Sequence, residues 1–207
     1  MPGVTGNFSV WNESDCAVWR ALLASYPAAI EAQGSSKLTN LDVWFRDELP
    51  AAIASRAEPC LYPDELQGIA AWKMSRGVWR ERNRVLISGN SQQAVVEASR
   101  KAFVSVPDPR LPITALAALA GVGPATASAA LAAFRPDIYP FFDEAVSGQI
   151  PGLGPVAFTT KYYLAYAQAL RERAATLNAA CGEPSMTPQD VAQAMWAAWA
   201  LSGASKA

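Results

Sequence analysis

The sequence predicts an all-α protein, and three observations carry this prediction. Hydrophobic residues make up 51% of the chain, and in most segments they recur every three or four positions, as on one face of a helix. Alanine is abundant, which favours closely packed helices. No segment shows the polar–apolar alternation that is typical of a half-buried strand. Because 207 residues are enough for one domain with a shared core, we expect residues 1–207 to form a single unit.

Residues that start or stop helices predict the order of the elements. Ser14 or Asp15 can cap the first helix, and proline can divide or open the helices that follow. Gly77 is expected to interrupt the third helix. The predicted ranges are about 14–32, 40–56 divided at Pro50, 63–87 interrupted at Gly77, 91–104, 112–135 as a helical hairpin, 158–180, and a last helix that begins at Thr187.

Composition excludes several classes of site. The chain has no histidine, which excludes histidine-based acid–base catalysis and the usual zinc enzymes. Its three widely spaced cysteines, Cys16, Cys60 and Cys181, indicate a reducing compartment rather than a disulfide framework. The formal net charge of −1 means that any contact with nucleic acid must come from a local basic patch. Since no membrane span or secretory signal is evident, we expect an intracellular protein of the nucleus or cytoplasm.

The most informative segment is an apolar helix that runs into Gly121-Val122-Gly123, followed by a second apolar helix. Glycine permits a tight turn with exposed backbone N–H groups, and Pro124 fits the first position of the next helix. Free amides at a helix start can bind an anion such as phosphate. Residues 112–135 are therefore predicted to hold a nucleic-acid backbone without reading its sequence. The alternative is a helical corner that serves packing alone.

The pattern continues through Thr126-Ala127 and a short apolar stretch to Asp143, with Val146 three residues later. Over about 112–147 it resembles the helix-hairpin-helix (HhH-GPD) superfamily of DNA glycosylases, as a divergent member. The resemblance implies that Gly121, Val122 and Gly123 hold DNA, that Thr126 supports the hairpin, and that Asp143 is the catalytic acid beside a flipped base. It also implies a two-lobed helical bundle in which hairpin and acid face the cleft and the N- and C-terminal helices share one lobe.

The chain departs from this superfamily at positions that bear on its chemistry. Members with lyase activity carry lysine two positions after the second hairpin glycine, where this chain has Ala125, so we expect no Schiff-base mechanism there. The four-cysteine iron–sulfur loop of some members cannot form from three cysteines. The resemblance therefore implies no cofactor beyond a monovalent cation shared with the hairpin carbonyls.

A second segment, residues 72–84, holds five of the 17 lysine and arginine residues. If it is one helix, four of them form a stripe at spacings of three and four that can follow a phosphate backbone. These four are Lys73, Arg76, Arg80 and Arg84. The alternative is a solvated helix face. Trp72 and Trp79 lie between the charges and can stack on a base, but core packing is the favoured interpretation for both.

Asp143 has two interpretations. Cleavage of an N-glycosidic bond develops positive charge on the sugar, and a nearby carboxylate can stabilise that charge and orient or deprotonate a water. One aspartate can do both without histidine. The alternative is a helix cap ahead of Glu144. Glu144 could replace Asp143 as the acid after a shift of one residue, but the spacing from the hairpin favours Asp143.

Three functions fit these residues. The first is a monomeric, monofunctional DNA glycosylase of base excision repair, a hydrolase without lyase activity that removes a damaged or modified base by water attack. The second is a protein that keeps this fold and binds DNA or a partner without catalysis, which the low basic charge favours. The third is a scaffold. Salt-dependent DNA binding separates the first two from the third, and Asp143→Asn separates the first from the second.

Overall fold

A computed structural model describes residues 9–182 and 185–203, and these ranges contain helices and turns but no β-strand. The all-α prediction is confirmed. A π-helical turn, Trp44–Glu48, joins α3 to α4. The α-helices are α1 (Cys16–Ala24), α2 (Tyr26–Glu31), α3 (Ser36–Val43), α4 (Leu49–Ala54), α5 (Pro63–Ser75), α6 (Glu81–Ser88), α7 (Gln92–Val104), α8 (Leu111–Leu116), α9 (Pro124–Phe134), α10 (Glu144–Ser147), α11 (Thr160–Cys181) and α12 (Pro188–Leu201).

The helix starts follow the capping residues seen in the sequence. The Asp15 side chain accepts a hydrogen bond from the backbone N–H two residues on, at 2.8 Å, and Ser91 caps α7 in a similar way. Proline opens α5 at Pro63 and α12 at Pro188, where its missing N–H has no partner to lose. These predicted starts are confirmed.

The first two predicted helices both contain proline, with different outcomes. The helix expected over 14–32 breaks at Ser25, and Pro27 stands in the first turn of α2, where it cannot continue the hydrogen-bond ladder. The helix expected over 40–56 begins earlier and widens into the π-helical turn before Pro50. The helix therefore breaks at Ser25 before Pro27, whereas the backbone stays helical from Ser36 through Pro50 to Ala54, so the predicted division at Pro50 is wrong.

The buried side chains form one hydrophobic cluster that runs through the described helices. Helices α1, α2 and α11 contact α12, whereas α5 contacts α3, α6 and α9, and α8 contacts α7 and α9. Every residue of α9 from Ala125 to Ala133 is buried, because its short side chains let neighbouring helices approach closely. The start of this buried helix is fixed inside the fold. A division into two lobes stays a prediction.

A disulfide joins Cys16 at the start of α1 to Cys181 at the end of α11, with the Cα atoms 5.6 Å apart. Cys60 is a buried free thiol. The expectation of unpaired cysteines is therefore wrong for Cys16 and Cys181, and the argument for a reducing compartment loses its basis. Cys16 and Cys181 are 165 positions apart in the sequence. The packing of helices brings them together, and the spacing of the cysteines along the chain does not predict that packing.

Candidate functional site

A pocket of about 600 Å³ brings the hairpin and Asp143 together. Gly123, Pro124, Ala125 and Thr126 line one part of its wall, and Asp143 and Glu144 line another. Aromatic side chains supply much of the remaining surface: Phe141, Phe142, Phe158, Trp196 and Trp199. The volume lies within the range of pockets that hold small organic molecules.

The hairpin is anchored on its outer side by α6. Gly121 has a φ of +77°, and a Cβ at this position would lie 2.8 Å from the Asn83 carbonyl oxygen. The side-chain amide of Asn90 donates to the Ala120 carbonyl at 3.0 Å and accepts from the Ala120 N–H at 2.9 Å. Gly121 therefore packs against α6, and its predicted contact with DNA stays a prediction.

The second half of the hairpin faces the pocket. Gly123 is the N-cap residue of α9 and offers no side-chain cap, and no described residue accepts a hydrogen bond from the N–H of Gly123 or Ala125. The N–H groups of Thr126 and Ala127 bond to the Gly123 carbonyl at 3.0 and 2.9 Å. Val122 is buried in the core. Of the predicted hairpin residues, Gly123 and Thr126 are thus the two that line the pocket, at the positive end of a helix dipole.

Asp143 is both a helix cap and a pocket residue. Its Oδ1 accepts from the Ala145 N–H at 2.9 Å, which makes it the N-cap of α10. Its Oδ2 accepts from Nη2 of Arg76 at 3.0 Å. The cap interpretation is confirmed. Asp143 also lines the pocket, beside the exposed Glu144.

Arg76 leaves the end of α5 and turns inward rather than outward. Its side chain is 3% exposed, and its guanidinium carbon lies 4.3 Å from the ring centre of Trp196 and 4.9 Å from that of Trp72. Nη1 donates to the Tyr26 hydroxyl at 2.7 Å. Aromatic faces and the Asp143 carboxylate together compensate the buried cation.

A chain of buried hydrogen bonds extends from this pair to α3. The Tyr26 hydroxyl donates to Asp42 Oδ1 at 2.8 Å, and Arg46 donates to the other carboxylate oxygen at 2.7 Å. Burial raises the pKa of Tyr26, so its hydroxyl stays protonated and can serve as both donor and acceptor. Sequence reasoning missed Tyr26 and Asp42, since neither belongs to a local motif.

The predicted basic stripe is wrong, because the segment is not one helix. Helix α5 ends at Ser75, α6 begins at Glu81, and the glycine between them disfavours continuation. Three of the four cations line the pocket, namely Lys73, Arg76 and Arg80. Arg84 instead donates to Glu81 at 2.8 Å on the surface. The cations therefore converge on the pocket instead of following one helix face.

The two tryptophans of the segment differ. Trp72 is fully buried and its indole N–H donates to Asp42 at 2.9 Å, so core packing is confirmed. Trp79 is 43% exposed, donates to Glu81 at 3.1 Å, and lies under the Lys37 ammonium. Core packing is wrong for Trp79, because it stands in the non-helical stretch between α5 and α6.

Lys73 is a half-buried cation of the pocket with no hydrogen-bond or ion-pair partner among the described side chains. Burial lowers its pKa, and the nearby Arg80 lowers that pKa further, while Asp143 and Glu144 oppose the shift. The pocket thus combines a paired Arg76–Asp143 unit with two cations that lack a fixed counter-charge.

In the ranges that the structure describes, no three acidic, cysteine or histidine side chains are grouped to hold a metal ion. No helix there is long and apolar enough to cross a membrane. In comparisons with protein-family models, curated proteins and solved structures, the chain has no match. A functional argument therefore rests on the pocket itself.

Proposed function

We propose that this protein is a monofunctional DNA glycosylase that hydrolyses the N-glycosidic bond of a damaged or modified base. The observation that carries the proposal is the shared pocket: Asp143 and the hairpin-derived start of α9 line the same space of about 600 Å³. A target base that leaves the duplex stack would enter this pocket, while the free amides of Gly123 and Ala125 hold a neighbouring phosphate.

The wall of the pocket supports binding of a flat, unsaturated ring. Phe142 lies with its ring centre 5.5 Å from those of Phe158 and Tyr162, which keeps its ring in place. Phe158 is 47% exposed and so presents part of its face to an incoming ligand. Stacking on such faces contributes about 1–3 kcal/mol per base and tolerates different bases.

The chemistry assigned to Asp143 is support of a hydrolytic step. As the bond to the base breaks, the sugar gains positive charge, which an ionised carboxylate stabilises. Arg76 holds that carboxylate in place, because its Nη2 donates to Oδ2 of Asp143 at 3.0 Å. A water held by the same carboxylate would attack the anomeric carbon as the bond to the base breaks, and Asp143 would accept the proton of that water. The electron pair of the broken bond would leave on the base, which takes up a proton from solvent.

The test is excision from duplexes that carry alkylated, deaminated or oxidised bases. Wild type should release a base and leave an alkali-labile site, and Asp143→Asn should reduce that rate about 10²–10⁴-fold, the usual contribution of a general base. Asparagine retains the helix cap but leaves Arg76 without its buried counter-charge, so a thermal melt of the variant accompanies the assay. Asp137→Asn is the matched control, because Asp137 forms an exposed pair with Arg135.

A second candidate is a DNA-binding protein of this fold without catalysis. It is favoured by the occupation of both Asp143 oxygens, one by Ala145 and one by Arg76. In that case no duplex of the panel releases a base, while the protein still binds DNA with an affinity that falls as salt rises. Absence of both excision and binding would contradict both candidates.

A further inference from the structure

Two cations of the pocket lack a fixed counter-charge. Lys73 and Arg80 both line it, and no described side chain forms an ion pair with either of them. Arg76 is already matched by Asp143. Two cations that share a partly desolvated pocket repel each other, and an anion between them removes this repulsion. The lowered pKa of Lys73 has the same two causes, burial and Arg80.

Unused hydrogen-bond donors surround the same space. Helix α9 has 11 residues, and the N–H groups of Gly123 and Ala125 have no acceptor among the described residues. Independently, Nε of Arg76 is buried without a hydrogen-bond partner, although this side chain is 3% exposed and forms part of the pocket wall. Buried donors of this kind normally have an acceptor, and no described residue supplies one for Nε of Arg76.

The ligand must also fit an aromatic surface. Phe142, Phe158 and Trp199 line the pocket together with the cations, so one molecule can contact both. A doubly charged phosphate monoester gains more from two nearby cations than a singly charged diester does, because its second pKa is about 6. An internal phosphodiester also continues in two directions, which suits a row of cations along a surface better than a convergent set.

We propose that this pocket binds a nucleoside phosphomonoester, with the phosphate beside Lys73, Arg80 and the start of α9 and the base on the aromatic wall. This chemistry is shared by a free nucleoside monophosphate and by the phosphorylated end of a nucleic acid. The proposal does not depend on excision of a base, and it assigns the cations to a terminal phosphate instead of to an extended backbone.

The experiment is calorimetric titration with unmodified deoxynucleoside 5′-monophosphates, the matching nucleosides and inorganic phosphate. We expect the monophosphate to bind at least tenfold more tightly than the nucleoside. Lys73→Gln and Arg80→Gln should each weaken this binding at least threefold, whereas Arg82→Gln should not change it. Arg82 is the matched control because it lies in α6, outside the pocket lining.

A second readout separates ligand contact from a general loss of structure. The ligand should raise the pKa of Lys73, so at mildly alkaline pH binding should take up protons, and this uptake should vanish in Lys73→Gln. Arg80, Asp143 and Glu144 are the charged groups that act on Lys73. Thermal melts of all variants verify that they fold.

Short oligonucleotides with and without a 5′-phosphate distinguish the two sources of the ligand. Tighter binding of the phosphorylated oligonucleotide than of the free monophosphate assigns the pocket to nucleic-acid ends, and the reverse assigns it to a free nucleotide. Equal binding of phosphorylated and unphosphorylated ligands, or equal loss in Arg82→Gln and Lys73→Gln, would overturn the proposal. Since these ligands carry no damaged base, the outcome is independent of the excision assay.

Discussion

Arg76 and Asp143 form a buried ion pair across 67 residues of sequence, with Nη2 and Oδ2 3.0 Å apart. Only 3% and 9% of the two side chains are exposed. The pair connects the end of α5 to the start of α10 and forms part of the pocket wall. The stability of the fold and the chemistry proposed for Asp143 therefore depend on the same contact.

Arg76→Met should lower the free energy of unfolding by about 3–5 kcal/mol, because it leaves the Asp143 carboxylate buried without its counter-charge. Urea denaturation measures the loss. Adding Asp143→Asn should recover part of it by removing the unpaired charge. Arg84→Met, which breaks the exposed pair with Glu81, should leave stability close to wild type. A double variant no more stable than Arg76→Met alone would assign the loss to packing instead of charge.

Gly121→Ala and Gly123→Ala should differ sharply, although the two glycines are two residues apart. Gly121 has a φ of +77° and its added Cβ would meet Asn83 at 2.8 Å, so we expect a loss of about 1–3 kcal/mol. Gly123 has a φ of −101° and open space around a Cβ. Gly123→Ala should therefore stay close to wild-type stability. It should instead weaken binding of the nucleoside monophosphate, because Gly123 lines the pocket. Similar melting temperatures for both variants would contradict the described hairpin.

Lys73 should titrate below the ordinary lysine value of about 10.4, because burial and Arg80 disfavour its charged form. NMR of ¹³C-methylated lysines measures this directly, with Lys73→Arg to assign the signal. If the pKa of Lys73 is lower in the folded than in the unfolded state, protonation of Lys73 destabilises the folded protein. The stability of wild type relative to Lys73→Met should therefore rise as pH increases from the folded-state pKa toward the unfolded value. A Lys73 signal at the ordinary value would contradict the described environment.

The Cys16–Cys181 disulfide closes a loop of 165 residues, and in the chain-entropy description such a loop contributes about 2–5 kcal/mol. The double variant Cys16→Ser/Cys181→Ser should lose that amount in urea denaturation. A thiol reductant should destabilise wild type by a similar amount and leave the double variant unaffected. Cys60 is a free thiol, so reductant sensitivity that persists in the double variant would contradict this pairing.

Local signals in the sequence were sufficient to place part of the site. The glycine turn, Pro124 and the cap at Asp143 each depend on neighbours within a few residues, and all three have the predicted local form. The inward direction of the Arg76 side chain could not be predicted, because it depends on the residue at which α5 ends. A continuous helix would have put it beside Arg80 on an outer face, whereas the break at Gly77 lets it turn into the core.

The partners of Arg76 are set by long-range packing alone. Tyr26 and Asp42 come from α2 and α3, and nothing in their own segments distinguishes them from ordinary helix residues. They meet Arg76 only because α2 and α3 contact each other and α3 contacts α5. A contact between distant segments of this kind leaves no signature within one sequence.

The disulfide also changes what a single break in the backbone does to this molecule. Residues 16–181 form a closed covalent ring, so a protease that cuts one exposed loop within that range opens the ring but releases no fragment. The nicked chain keeps its full mass on a non-reducing gel and separates into two pieces only after reduction. Tyr26 and Asp143, which lie on that ring, would therefore stay tethered after a cut between them.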